Sequence, residues 1–127
     1  MARIALVEDN ADVRGSIEVL LQRMGHDVET HENGRAIVDA DGDFEPDVVL
    51  TDILMPGTDG METIRSLVRK YPEVRIIAMS GGVTGENPGS LTRWAMMVGA
   101  HDALAKPFTP DELKASLDMV LEGADRG

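Results

Sequence analysis

Four short runs of the chain are apolar at almost every position: Ile4-Ala5-Leu6-Val7, Val48-Val49-Leu50-Thr51, Ile76-Ile77-Ala78-Met79 and Ala103-Leu104-Ala105. Runs of this length read as strands buried on both faces. Between them the period changes. Val13, Ile17, Leu20, Leu21 and Met24 recur at three and four residues, so an amphipathic helix follows the first run, capped by Asn10 or Asp12 and closed by Gly25. Asp27-Val28-Glu29-Thr30 alternates polar with apolar and predicts a less buried edge strand, and Asn33 to Ala40 reads as a short helix. After the second run, Asp59 and Glu62 make a capping pair for a helix carrying Met61, Ile64, Leu67 and Val68, which Tyr71-Pro72 ends. A glycine-rich stretch from Gly81 to Gly89 leads into a helix from about Ser90, with Leu91, Trp94, Ala95 and Val98 on one face and Gly99 at its end. The last helix has the plainest start: Thr109 as N-cap, Pro110 at the first helical position and Glu112 placed for a capping box, ahead of Leu113, Leu117, Val120 and Leu121.

Strand and helix alternate five times along this reading, which predicts an α/β fold: a (βα)5 doubly wound parallel five-stranded sheet with helices on both faces and right-handed crossovers. Ligands of such sheets bind beyond the carboxyl ends of the strands. Glu8 and Asp9 follow the first run, Asp52 the second, Ser80 the third and Lys106 the fourth. Three carboxylates, a hydroxyl and an ammonium at one sheet edge suit a divalent cation and a phosphoryl group. Each of these residues alone would ordinarily be a solvated loop residue, a helix cap or a surface charge. Five together at one edge are not accounted for in that way. Met55-Pro56-Gly57 reads as a tight turn. His26, His31 and His101 show no ligand spacing and read as structural, and Trp94 and the methionines as packing.

Composition narrows the function. At 127 residues the chain has room for one domain with a real core and not for a separate output module. With 12 basic against 23 acidic residues the formal charge is −11, which opposes nucleic acid and anionic membrane and favours cations and basic surfaces. No apolar stretch approaches the roughly 20 residues of a membrane span, and the N-terminus lacks a signal-peptide pattern, so a cytoplasmic protein is expected. There is no cysteine, hence no disulfide or thiol chemistry.

Four motifs stand in order at the strand ends: Val7-Glu8-Asp9-Asn10, Thr51-Asp52-Ile53-Leu54-Met55-Pro56-Gly57-Thr58-Asp59-Gly60, Met79-Ser80-Gly81, and Leu104-Ala105-Lys106-Pro107-Phe108. Through them the chain resembles the receiver domain of the two-component response-regulator family, from Ile4 to about Leu121. The resemblance implies a flavodoxin-like sheet of strand order 2-1-3-4-5, a receiver domain over residues 1–123 and a C-terminal tail at 124–127. It makes Asp52 the phosphoryl acceptor. Mg²⁺ would be ligated directly by Asp9, mainly through water by Glu8, and also by Asp52 and the backbone carbonyl of Leu54. Ser80 and Lys106 would each engage a phosphoryl oxygen, and the Lys106-Pro107 peptide would be cis. The implied protein is a single-domain response regulator, not an enzyme with a substrate of its own beyond self-catalysed phosphorylation and autodephosphorylation. Its implied partners are a histidine kinase or histidine phosphotransfer protein and a downstream protein target, with neither direct nucleic-acid binding nor membrane insertion.

Two features depart from the family pattern. Ala103 occupies the position, three residues before the lysine, where the family commonly has Tyr or Phe, and the stretch from Ser80 to Lys106 is several residues longer than usual. A degenerate receiver that binds proteins without phosphorylation is therefore the alternative. A flavin-binding protein of similar topology needs a Ser/Thr/Gly-rich phosphate loop after the first strand, where Glu8 and Asp9 would repel phosphate. A haloacid-dehalogenase-type phosphohydrolase normally carries a second Asp two positions after its nucleophile, and Leu54 stands there.

Overall fold

A computed structural model of the chain describes residues 2–33, 36–37, 45–55, 58–81, 93, 96–97 and 99–126. In chain order the elements are β1 (Arg3–Val7), α1 (Ala11–Arg23), β2 (Asp27–His31), β3 (Val48–Asp52), β4 (Leu54–Met55), β5 (Thr58–Asp59), α2 (Gly60–Lys70), β6 (Arg75–Gly81), β7 (Asp102–Lys106) and α3 (Pro110–Arg126). Five strands form one parallel sheet in the order β2-β1-β3-β6-β7, which is 2-1-3-4-5 when the strands of this sheet alone are counted. Three of the apolar runs form β1, β3 and β6 in its middle because a parallel strand between two helical layers can leave neither face polar; the fourth, expected to be buried on both faces, lies in β7 at the other edge, where Leu104 is buried and Ala105 exposed. β3 is buried at all five positions, whereas the alternating β2 lies at an edge and is only partly covered.

Alternate residues of each central strand feed two cores. Ile4, Leu6, Val48, Leu50, Ile77 and Met79 pack with Ile17 and Leu21 of α1 and with Leu113, Leu117 and Val120 of α3. Ala5, Val7, Val49, Ile76 and Ala78 pack on the other face with Ile64 and Leu67 of α2. Full burial of each such Leu or Ile side chain is worth about 1.5–3 kcal/mol, so the two layers hold the strand ends in fixed register.

The helix signals resolve as local hydrogen bonds. Asn10 is the N-cap of α1, its side chain accepting from the N–H groups of Asp12 and Val13 at 3.0 and 3.1 Å. Gly25 follows α1 at φ 93°, a left-handed conformation that glycine adopts without a Cβ clash. Thr109 Oγ1 accepts from the Glu112 N–H at 3.1 Å and Glu112 Oε1 from the Thr109 N–H at 3.2 Å, a reciprocal capping box. α3 runs on through Arg126, so residues 124–126 continue the helix.

Several expectations meet the structure only in part. The turn at Met55-Pro56-Gly57 overlaps a small antiparallel ribbon that pairs Leu54 with Asp59 and Met55 with Thr58; Pro56 and Gly57 lie outside the described residues. So do the glycine-rich stretch beyond Gly81, Trp94 and most of the helix expected around it, and most of the helix expected over 33–40, of which Ala36 and Ile37 are helical. Among the described residues no helix is long and apolar enough to cross a membrane.

Candidate functional site

The carboxyl edge of the sheet gathers residues far apart in sequence. Glu8 leaves β1, Asp52 ends β3, Ser80 is the penultimate residue of β6, and Lys106 ends β7. Register brings them level: Asp52 lies opposite Met79, Ser80 opposite Ala105, and Gly81 opposite Lys106. Glu8 is 1% exposed and Asp52 4%, while Asp9 is open to solvent. One carboxylate oxygen from each of the three lies within 4.8 Å of the others.

Lys106 reaches into this cluster across 98 and 54 residues of chain. Its Nζ donates to Glu8 Oε1 and to Asp52 Oδ2, each at 2.5 Å. Burial alone would lower its pKa, but the hydrogen bonds to Asp52 and Glu8, with the charges of both carboxylates, outweigh that and hold the ammonium above its usual value. A protonated lysine is therefore built into the site at neutral pH. The peptide that follows it, Lys106-Pro107, is cis.

Further contacts brace Glu8. Its backbone N–H donates to the His31 carbonyl at 3.0 Å, its Oε2 accepts from the Asn10 N–H at 3.3 Å, and its carbonyl accepts from Arg14 Nη1 at 2.8 Å. Arg14 is the participant that the sequence reading passed over. It lies three residues before Ile17 and so borders the apolar stripe of α1, a position from which a long side chain reaches back to the sheet edge.

The structure thus brings together Glu8, Asp9, Asp52 and Lys106, and sets Ser80 at the neighbouring strand end, 8% exposed. Leu54 stands two residues past Asp52, its backbone in the β4–β5 ribbon. The donor set is oxygen only, with anionic carboxylates, which fits a hard cation such as Mg²⁺ and not a metal preferring nitrogen or sulfur. The histidines stand outside the cluster. His26 Nδ1 accepts from the Ala2 N–H and His101 Nδ1 from the Ile76 N–H, each at 3.1 Å, at the opposite edge of the sheet.

Comparison with known proteins agrees with this geometry. Residues 4–118 match the family described as the response regulator receiver domain. The chain is 35% identical over 124 residues to the phosphate regulon transcriptional regulatory protein PhoB of Pseudomonas aeruginosa, covering 98% of this chain and 53% of that protein. It therefore spans about half the length of that relative. It is 33% identical to protein PilH of Pseudomonas aeruginosa, covering 97% of this chain and 100% of PilH. Among solved structures, Vibrio cholerae chemotaxis protein CheY4 superposes with a TM-score of 0.82 at 29% identity, over 94% of this chain and 98% of that one. NtrX from Brucella abortus does so with a TM-score of 0.87 at 27% identity, over 98% of this chain and 28% of that one. Sheet order, strand-end chemistry and family match coincide, and the chain belongs to the response regulator receiver domain family.

Proposed function

We propose that Asp52 accepts a phosphoryl group from a phosphohistidine on a histidine kinase or histidine phosphotransfer protein, and that the phosphorylated protein signals through contacts with a downstream protein. The observation that carries this reading is the Lys106 ammonium held between Asp52 and Glu8 at the edge where Asp9 also stands. A carboxylate held at a strand end beside a fixed cation is a competent nucleophile toward phosphorus. One Asp52 oxygen forms the new O–P bond as the N–P bond of the phosphohistidine breaks. The electron pair of that bond stays on the imidazole nitrogen, which takes up a proton from water.

Asp9, Asp52 and the Leu54 backbone carbonyl would hold Mg²⁺, with Glu8 acting mainly through water. Bound Mg²⁺ supplies charge neutralisation between the two anionic reactants. Lys106 pairs with one phosphoryl oxygen as a point charge, and the Ser80 hydroxyl donates to another. Hydrolysis of the acyl phosphate later restores the carboxylate. The protein is in this reading a cytoplasmic signalling module and not an enzyme with an independent substrate.

Ala103 favours a second reading. It lies in β7 opposite Ala78 and supplies no aromatic ring to couple the site to the surface, as expected of a receiver that binds partners without phosphorylation. One experiment separates the two. Incubation with Mg²⁺ and acetyl phosphate, followed by intact-mass measurement, should add one phosphoryl group to the parent and none to Asp52→Asn. Equal phosphorylation of both proteins would reject Asp52, and none in either would favour the binding module.

A further inference from the structure

We infer that the outward face of α2, together with the adjoining helical turn at Arg93, Met96 and Met97, is a docking surface for an acidic amphipathic helix of a partner protein. It uses none of the groups assigned above to phosphoryl transfer. Among the described residues five large apolar side chains are exposed, and three of them, Val68, Met96 and Met97, belong to this surface. Met97 stands 81% exposed. Ile64 and Leu67 hold α2 on the sheet, which leaves Val68 at the border of the packed face. The two parts adjoin at Gly99, whose N–H donates to the Met96 carbonyl at 3.3 Å and where an added Cβ would lie 3.0 Å from Val68 Cγ2. Apolar side chains exposed singly need no explanation, whereas a group of them in one region marks an interaction surface. Methionine, long and polarisable, moulds itself to another apolar face.

Charge selects the occupant. Arg65, Val68 and Arg69 stand at i, i+3 and i+4 of α2 and share a face, and Arg93, Met96 and Met97 repeat that spacing. Each apolar group is thus flanked by guanidinium. All three arginines are exposed, and none makes a hydrogen bond or ion pair among the described residues. On a chain with 23 acidic residues against 12 basic ones, unpaired arginines gathered in one region run against the composition. The helix dipole accounts for Arg69, in the last turn of α2, and not for Arg65 in its middle. Arg65 and Arg69 also repel each other across one turn, a cost that a carboxylate from outside removes. A guanidinium takes a carboxylate in a bidentate fork, and Arg and Met are both enriched at protein interfaces. Apolar anchors at helical spacing beside cations fit a helix that carries leucines along one side and glutamates next to them. The net charge of −11 opposes nucleic acid, anionic membrane and a second copy of this chain as occupants.

The test uses the whole unphosphorylated chain, so its outcome does not depend on Asp52 accepting a phosphoryl group. The probe is a fluorescein-labelled synthetic helix of Glu, Ala and Leu with its leucines on one face, followed by anisotropy and by ¹⁵N amide shifts, with circular dichroism confirming that each variant is folded. The parent should bind it, with shifts confined to residues 64–70 and 93–99. Raising salt from about 50 to about 200 mM should weaken binding several-fold. Arg65→Gln combined with Arg69→Gln should weaken it about tenfold through the lost charge-assisted contacts, and Met97→Ser about threefold through the lost apolar contact. Arg3→Gln, which removes an exposed arginine from β1, should leave it unchanged, and a peptide with Lys in place of every Glu should not bind. No binding by the parent, equal affinity in the double arginine variant, or shifts on another face would overturn the inference. So would tighter binding of phosphatidylglycerol vesicles or single-stranded DNA at the same residues, or self-association of the parent that the double arginine variant loses, since each gives the face to a different occupant.

Discussion

His101, just before β7, and Lys106, at the other end of the same strand, stand in opposite kinds of polar surroundings. At the amino edge of the sheet the side chains serve the backbone. His101 Nδ1 takes the Ile76 N–H, His26 Nδ1 the Ala2 N–H, and Asp47 Oδ2 the Arg3 N–H at 2.9 Å. At the carboxyl edge the side chains meet each other, with Lys106 bridging Glu8 and Asp52. The first arrangement closes the ends of strands and needs only one acceptor for each donor. The second concentrates charge where little water reaches, which adds nothing a backbone needs and is suited to holding a cation and an anion in turn. The contrast locates chemistry better than the presence of titratable groups, which both edges have.

The largest effect expected from disturbing this contrast is at Lys106. Lys106→Met leaves Glu8 and Asp52 buried without their cation, and should destabilise the metal-free protein at pH 7 by about 3 kcal/mol in denaturant titration. Millimolar Mg²⁺ should stabilise this variant more than the parent, because the cation then relieves three crowded carboxylates. Equal stabilisation of both proteins would mean that Lys106 and the metal do not share a charge environment. At the amino edge His101→Ala should cost less, about 1–2 kcal/mol at pH 7.5, from the Ile76 N–H left without its acceptor. Its loss should not be relieved by Mg²⁺.

Asn10→Ala sharpens the comparison from within the carboxyl edge. Asn10 belongs there by position but serves the backbone, capping α1, so its loss should cost about 1 kcal/mol and leave acetyl-phosphate labelling of Asp52 in place. A complete loss of labelling would show that the side chain takes part in the site.

The smallest effect is in pH dependence. Burial lowers the pKa of His101, helped by the charge of Arg75, and burial lowers that of His26, helped by the N-terminal ammonium and opposed by Asp118. The unfolded chain therefore binds these protons more tightly than the folded one. Their contribution to stability is full above the ordinary value of 6.5 and is lost as pH falls through the lowered folded values. Protonation also removes the Nδ1 lone pair that accepts the backbone N–H. His101→Asn, which places an oxygen acceptor where Nδ1 stood, should flatten the fall in melting temperature between about pH 7 and pH 5. An unchanged slope would show that His101 does not contribute to the acid sensitivity.

Much of this was legible in the sequence because the strands are apolar on both sides and their ends carry the polar groups. Ile4 to Val7 and Val48 to Thr51 could be read as buried strands from composition alone, and the family resemblance set their order. Asp59 stands directly before α2, where a cap was expected, but the two-stranded ribbon it also belongs to was not read, since a pair of two-residue strands is too short to show any period. The choice between Asn10 and Asp12 as cap of α1 also needed the backbone. What no local pattern could show was which residues touch at the edge. The Lys106–Glu8 contact depends on the register of β1, β3, β6 and β7 and spans 98 residues, and Arg14 enters only because α1 lies against that edge. The sequence named the groups, and packing chose their partners.

The central claim is that the carboxyl edge exists to place a phosphoryl group on Asp52. Trapping tests it most directly. Protein incubated with Mg²⁺ and acetyl phosphate is reduced with borohydride, which converts an aspartyl phosphate to homoserine, and is then digested and mapped by mass spectrometry. The account predicts homoserine at Asp52 alone, in a yield that falls sharply when Lys106 is replaced by Met. Homoserine at Asp9 or another aspartate with Asp52 unmodified would contradict it.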